Sequence, residues 1–255
     1  MDMETLLNIN KEFLNGRGPS FDQKKGKIIK NFKPHLLLMA HMHRAKFSNE
    51  HLKIVQEIVR KTPSIIDLWL EISLQFHFQY RANRIRKNMS FNAIRNIVKF
   101  SQHMIQGMWE FESQLMQLPF MDVDAINKIS KKMKKKSPTI IEYISLSKEE
   151  RKSQEVFTEK QLDIIENCIS NLPDYTITAE IETEGADDIV IFDMVSIKVK
   201  IVRNNLKDGE LAPPVCSRNY PFIKNEKFHV FFTDMMDMNI FSYIQLTENT
   251  KTQEQ

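Results

Sequence analysis

Seven histidines, two cysteines and a run of lysines are the residues from which this chain would have to build chemistry. His41 and His43 form an HMH triplet. Positions two apart on a helix point to different faces, so this pair does not readily clasp one metal ion. One partly buried and one exposed imidazole is the expectation. His35, His51, His77, His103 and His229 are scattered, with no HExxH or CxxC beside them. Cys168 lies in IENCISNL, a helical setting in which a small buried side chain fits. Cys216 follows Pro213-Pro214 in a loop, open to exposure. The two thiols are far apart in the sequence, and no base is placed beside either. That usage fits a reducing compartment with no disulfide framework.

Phosphate and acyl chemistry fare no better. There is no GxxxxGK[ST], GxGxxG or GxSxG segment, and the chain has only six glycines. Asp122 and Asp124 read as paired acids, or more simply as a helix N-cap and a first-turn charge. Asp187-Asp188 reads as a turn, and Asn88-Met89-Ser90 as an isolated sequon. No catalytic residue, no metal and no cofactor is expected. The one charge feature above background is Lys131, Lys132, Lys134, Lys135 and Lys136. It is either a solvated helix end or a contact for phosphate or acidic headgroups. No aromatic residue lies within it, so base stacking is unsupported.

The elements that carry these residues fall into two textures. The chain has 255 residues, 42% hydrophobic and 27% charged, which supplies one large core or two ordinary ones and argues against disorder. A net charge of +3 does not mark a nucleic-acid binder. The start, MDMETLLNINKEF, lacks the apolar stretch of a signal peptide. The most apolar segment, residues 65–80, carries Asp67, Glu71 and His77 and falls short of the roughly 20 apolar residues that cross a bilayer.

Helices are expected over 3–14, from Pro34 through PHLLLMAHMHRAKF, from an N-cap at Ser48, from Pro63 through 86, over 90–111, after Asp122, and after Thr158, whose T-x-x-Q spacing makes a capping box. The segment 15–27 reads as a loop. From Pro173 the pattern alternates with a period of two, in YTITAEIE, IVIFDMVSIKVKIV, FHVFF and NIFSYIQL. Helical bundle 1–172, with a helix-hairpin-helix-like part at about 113–172, β-sandwich-like domain 173–247 and polar tail 248–255 are the expected divisions. About four strands are fewer than the seven or so of a fibronectin type III or immunoglobulin-like sandwich, so this is an α+β chain ending in a reduced one.

A helical core is expected from Ile65, Leu68, Trp69, Ile72, Phe76, Val98, Ile105, Met108 and Leu118, with Trp109 as a further structural residue. Leu118-Pro119-Phe120 with Asp122 and Asp124 is expected to form an elbow between helices. The missing strands leave unpaired edges, so Phe228, Val230, Phe232, Ile240, Tyr243 and Ile244 are the candidate surface for another protein.

Three stretches resemble the Sec-sixty-three, or Brl, domain: LLLMAHMHRAKF before KTPSIIDLWLEI, then NIVKFSQHMIQGMWEFESQLMQLPFMDVDAINKI, then TIIEYISLSKEER. The QLMQLPFMDVDAI element is the specific part, and the resemblance runs over nearly the whole chain. It implies a scaffold on the cytosolic face of the endoplasmic-reticulum membrane. Such a scaffold packs against the protein-conducting channel and its associated Sec subunits and supports post-translational import. The family's lumenal J-domain recruits an Hsp-seventy-class chaperone. Neither that domain nor its membrane spans are in this sequence, which reads as a fragment or a divergent short form. The family's other branch ends Ski-two-like spliceosomal RNA helicases, and it implies an accessory domain binding protein or nucleic acid. DMETLLNINKEFL, MAHMHRAKF and the final strands resemble the translocation branch.

Overall fold

A computed structural model describes residues 32–183, 195–207, 210–234, 236 and 238–247. The helix expected at 3–14, the loop after it, the Asp187-Asp188 turn and the tail lie outside these residues. Seven helices, a 3-10 turn and four strands make up the regular structure that is described. They are α1 (Phe32–Met42), α2 (Asn49–Arg81), α3 (Phe91–Gln106), the 3-10 turn Gln114–Gln117, α4 (Val123–Met133), α5 (Ile140–Ile144), α6 (Lys148–Ser153), α7 (Glu159–Asn171), β1 (Tyr175–Thr183), β2 (Val195–Arg203), β3 (Lys227–Thr233) and β4 (Ile240–Thr247).

The helix starts follow the capping chemistry. Ser48, Ser90 and Asp122 each accept a backbone N–H three residues on, from His51, Ala93 and Ala125. Thr139 with Glu142, Ser147 with Glu150 and Thr158 with Gln161 form three full capping boxes, satisfying two orphan N–H groups at each start. Because the boxes close α5, α6 and α7 locally, short helices of five and six residues persist.

Two helix boundaries differ from expectation. Pro63 does not open a new helix but lies inside α2, which runs through it for 33 residues. Proline removes one N–H and its carbonyl partner loses a bond. The buried stripe Val55, Val59, Pro63, Ile66, Leu70, Leu74, His77 is continuous across that point, so packing holds the helix together. Helix α3 stops at Gln106 rather than near Phe111, because Gly107 takes the left-handed conformation, φ 55°. A side chain there would also meet Asn219 Cβ at 2.9 Å.

Three apolar clusters organise the molecule. Leu36, Leu37, Ala40, Val55, Val59, Ile105 and Tyr220 form the first. Met42, Ile66, Leu70, Leu74, Ile94, Ile97, Met104 and Ile240 form the second, with Phe231 and Tyr243 packed on it. Leu115, Leu118, Met121, Ile129, Tyr143, Ile165 and Cys168 form the third, among α4, α5 and α7. The β3–β4 sheet therefore shares a core with α2 and α3, across the division expected at 172–173.

The strands pair as two antiparallel sheets, β1 with β2 and β3 with β4. A seven-stranded sandwich is not among the described elements; mixed helix and antiparallel strand is what the chain has.

Half of the expected core is misplaced. Ile105, Met108 and Leu118 are buried and Val98 is partly buried, but Ile65 (64% exposed), Leu68, Trp69 (49%), Ile72 and Phe76 face outward. Helix α2 carries two apolar stripes side by side, and its neighbours bury the one through Ile66, Leu70 and Leu74. Periodicity alone does not choose between adjacent stripes.

Candidate docking surface

The segment from 210 to 226 positions the strands on the helices. Helix α3 ends with carbonyls that have no partner inside the helix. His41 Nε2 donates to the Met104 carbonyl (2.9 Å) and Ser217 Oγ to that of Ile105 (2.6 Å). Asn219 Nδ2 donates to Gln106 O (2.9 Å) and Arg44 Nε to Gly107 O (2.8 Å). Gln106 returns a bond to the Cys216 carbonyl (3.2 Å). Val215, Tyr220 and Phe222 join the first cluster, and Arg218 lies 5.6 Å over the Phe120 ring. The strap is thus bound to helices on both sides before it enters β3.

His77 fixes the other end of that sheet. It is fully buried, accepts the Ile240 N–H at Nε2 (3.0 Å) and donates from Nδ1 to Met89 O (2.8 Å). Arg81 donates to Ile240 O (2.5 Å) and covers the Phe241 ring at 4.4 Å. One face of the sheet, carrying Phe231, Ile240 and Tyr243, is pressed onto α2 and α3, with Phe231 edge-on to Phe91 at 5.4 Å. His229 on this face bonds Tyr243 Oη (2.8 Å), and burial lowers its pKa.

Of the six residues expected at the surface, Ile240 and Tyr243 therefore belong to the core. Strand pairing sets them on the inner face, and Ile240 is completely enclosed. The opposite face carries Phe228, Val230, Phe232, Ile244 and Leu246, with Phe228 opposite Leu246 and Val230 opposite Ile244. Phe232 is half exposed, as is Ile244.

A second apolar face was not anticipated. In β1–β2, Ile177 pairs with Ile201, Ala179 with Val199 and Ile181 with Ile197, so one side of the ribbon is apolar between its Tyr175–Arg203 and Thr183–Val195 ends. Its other side carries Thr176, Thr178, Glu180 and Glu182 against Val202, Lys200, Lys198 and Ser196. Ile177, Ile181, Ile197 and Val199 are all exposed. The alternation in YTITAEIE and VSIKVKIV contained this signal, but only the register shows that the two apolar rows share a side.

The ribbon is held at its base. Arg203 and Glu226 form an enclosed ion pair (2.6 Å), Tyr175 Oη also bonds Glu226, and Arg203 donates to Asn171 O (2.9 Å). Tyr175 and Phe228 meet edge-on at 5.0 Å, so the two open apolar faces begin from one contact. Among the described residues each strand pairs on one side only, which leaves four backbone edges.

The remaining sequence candidates lie away from the two sheets. Trp109 donates to His43 Nδ1 (3.2 Å) and stacks on Phe111. Leu118 is buried, Pro119 separates the 3-10 turn from α4, and Asp122 caps α4. Trp69 is exposed rather than structural, as the stripe choice in α2 requires. Lys131 and Lys132 end α4, Lys134 is its left-handed cap, and Lys135 pairs with Glu142 (2.6 Å). All five lysines of the run are exposed. The cysteines, read as distant, are brought together: Cys216 packs against the cluster that contains Cys168. Among the described residues no group of three or more metal-ligating side chains occurs, and no helix is long and apolar enough to cross a membrane.

No family model matches the chain. Curated relatives do. It is 24% identical to the mouse (Mus musculus) "Translocation protein SEC63 homolog" over 184 residues, 70% of this chain and 24% of that protein. The human (Homo sapiens) protein of the same name is 23% identical over the same extent. The chain thus spans about a quarter of the length of these relatives. It is also 24% identical over 194 residues to "DExH-box ATP-dependent RNA helicase DExH12" of Arabidopsis thaliana, covering 76% of this chain and 8% of that one. The resemblance read in the middle of the sequence is thereby shown as a similarity to Sec-sixty-three homologues over 70% of the chain.

Proposed function

We propose that this chain is a non-catalytic scaffold of the endoplasmic-reticulum translocation machinery, on the cytosolic face of the membrane. Its β strands hold a cytosolic segment of the protein-conducting channel or of an associated Sec subunit. The observation that carries this is the pair of apolar faces, exposed Phe232 and Ile244 with half-buried Phe228 and Val230 on one sheet and exposed Ile177, Ile181, Ile197 and Val199 on the other. Contiguous exposed apolar surface of this kind marks an interaction site, and a strand edge beside it offers backbone pairing. The names of the SEC63 relatives supply the process; the sheet geometry supplies the means. The strands of this domain form a reduced fibronectin type III-like unit that the partner completes. An Hsp-seventy-class chaperone is engaged only indirectly, through a J-domain elsewhere in the assembly, and ATP is left unchanged.

The test is binding of the purified chain to immobilised cytosolic loops of the channel. The double variant Phe232→Asp/Ile244→Asp is expected to bind at least about tenfold more weakly, the scale of a lost hot spot, with little change in thermal midpoint. Equal binding by that variant, or none by the native chain, sinks the proposal. The helicase matches favour a second reading, an accessory domain of a ribonucleoprotein. There Lys131, Lys132, Lys134, Lys135 and Lys136 would meet phosphates. Salt-dependent binding of duplex RNA, lost on replacing these lysines, would support it instead.

A further inference from the structure

The chain has two cysteines, and the fold sets them side by side. Cys168 is on the third turn of α7, buried in the third apolar cluster. Cys216 is in the strap that caps α3, and its half-buried side chain packs against that same cluster. Its backbone is fixed by the bond from Gln106, and its neighbour Ser217 by the bond to Ile105 O. Both thiols are free. We propose that Cys168 and Cys216 form an oxidation site, an attacking thiol and a resolving thiol that close into one intramolecular disulfide.

The roles follow from surroundings. Cys168 S–H donates to Cys216 Sγ, which lowers the Cys216 pKa to about 7 although burial opposes it; the same bond and burial raise that of Cys168. Cys216 is thus the more accessible and the more readily ionised sulfur, which are the two requirements for an attacking thiol. With hydrogen peroxide as oxidant, the Cys216 thiolate takes one oxygen. The O–O bond breaks, hydroxide leaves, and Cys216 becomes a sulfenic acid. Cys168 then attacks that sulfur. The S–S bond forms, and the sulfenic oxygen leaves as water with the Cys168 proton. The peroxide is reduced by two electrons and the two thiols are oxidised by two.

The location gives the bond a consequence. The third cluster packs α4, α5 and α7, whereas the strap belongs with α1, α2 and α3 through Val215, Tyr220 and Ser217. A disulfide between Cys168 and Cys216 would tie α7 to the strap and hence lock one helical group to the other, just ahead of β3.

The experiment is peroxide treatment of the full chain, followed by intact-mass and peptide mapping without reduction. A loss of two hydrogen atoms, with one peptide pair linking Cys168 and Cys216 and a raised thermal midpoint reversed by a thiol reductant, is expected. Before oxidation, Cys216 is expected to alkylate roughly tenfold faster than Cys168 at neutral pH. In Cys168→Ser, a sulfenic acid on Cys216 should persist and be trapped by a dimedone probe. Oxidation that stops at Cys216 in the native chain while Cys168 stays alkylatable, or that yields only linked dimers, overturns the proposal. The mapping uses the native chain, so a variant that fails to fold does not remove the test.

Discussion

Replacing Arg151 is expected to do more damage than any other single surface-distant change in the α4–α7 group. Its guanidinium is 5% exposed and makes a two-pronged pair with Glu166, Nε to Oε1 at 2.7 Å and Nη2 to Oε2 at 2.6 Å. Nη1 donates to the carbonyls of Tyr143 (3.2 Å), Ile144 (3.0 Å) and Leu146. These carbonyls lie at and just past the end of α5, where that of Tyr143 also accepts the Leu146 N–H, so one side chain braces this end and ties it through α6 to α7. Arg151→Met keeps most of the volume but leaves Glu166 charged and half-enclosed, and leaves three carbonyls without this donor. Breaking a buried pair from one side costs about 3–5 kcal/mol. For a chain of this size each kcal/mol moves the midpoint by about 2–4 °C, so a fall of roughly 6–20 °C is expected by calorimetry. Adding Glu166→Leu removes the stranded charge but not the orphaned carbonyls. The double variant should recover part of the loss, leaving about 1–3 kcal/mol. A single-variant fall of less than ~3 °C, or a double variant worse than the sum of the singles, would show that Arg151 does not hold this group together.

Trp69→Ala should cost only about 1 kcal/mol, well short of the ~3–5 kcal/mol of a buried indole, because about half of the ring is already in water; urea titration of the variant checks this, and a large loss would mean that the outer stripe of α2 is covered in solution. Stability should fall as pH drops below about 6.5, because burial lowers the folded-state pKa of His41, His43, His103 and His229. In that window the unfolded chain binds protons that the folded chain refuses, so stability is complete above 6.5 and declines below it, most through the well-buried His41. Thermal midpoints between pH 7.5 and 5 read this directly, and a flat profile would contradict it.

Legibility in the sequence tracked how local the cause was. Ser48, Asp122 and the Thr158–Gln161 box announce helix starts because the side chain bonds the backbone three residues away, and all three do so. The strands were readable because alternation is a property of each segment alone. Reading failed wherever the deciding partner was distant. Pro63 is a local stop signal, overridden by a buried stripe shared with α1 and α3. Gly107 was a stop signal that went unread, since the apolar spacing continues past it to Trp109. Ile240 and Ile244 are four residues apart on one strand, which would ordinarily share a face; a register shift between Phe232 and Thr233 puts them on opposite faces, and the Ile240 N–H is held by His77, 163 residues away.

The same distinction explains why only four of the six expected surface residues lie on the outward face of their sheet. A row of apolar residues on a strand says that one face avoids water, but not whether this chain or another covers it. In β3–β4 the helices cover Phe231, Ile240 and Tyr243, leaving Phe228, Val230, Phe232 and Ile244 for whatever lies beyond. In β1–β2 the side chains of Ile177, Ile181, Ile197 and Val199 stay exposed among the described residues, and Arg203 with the following Asn205 bonds the end of α7 at the ribbon's base. An apolar ribbon face with Ile177, Ile181 and Ile197 open to solvent has a free-energy incentive to close on something, at roughly 25 cal/mol for each Å² covered. Its base contact, Tyr175 edge-on to Phe228, joins the ribbon to the β3–β4 sheet. On the proposed reading, a partner segment entering there would cover apolar surface and pair with a strand edge at once.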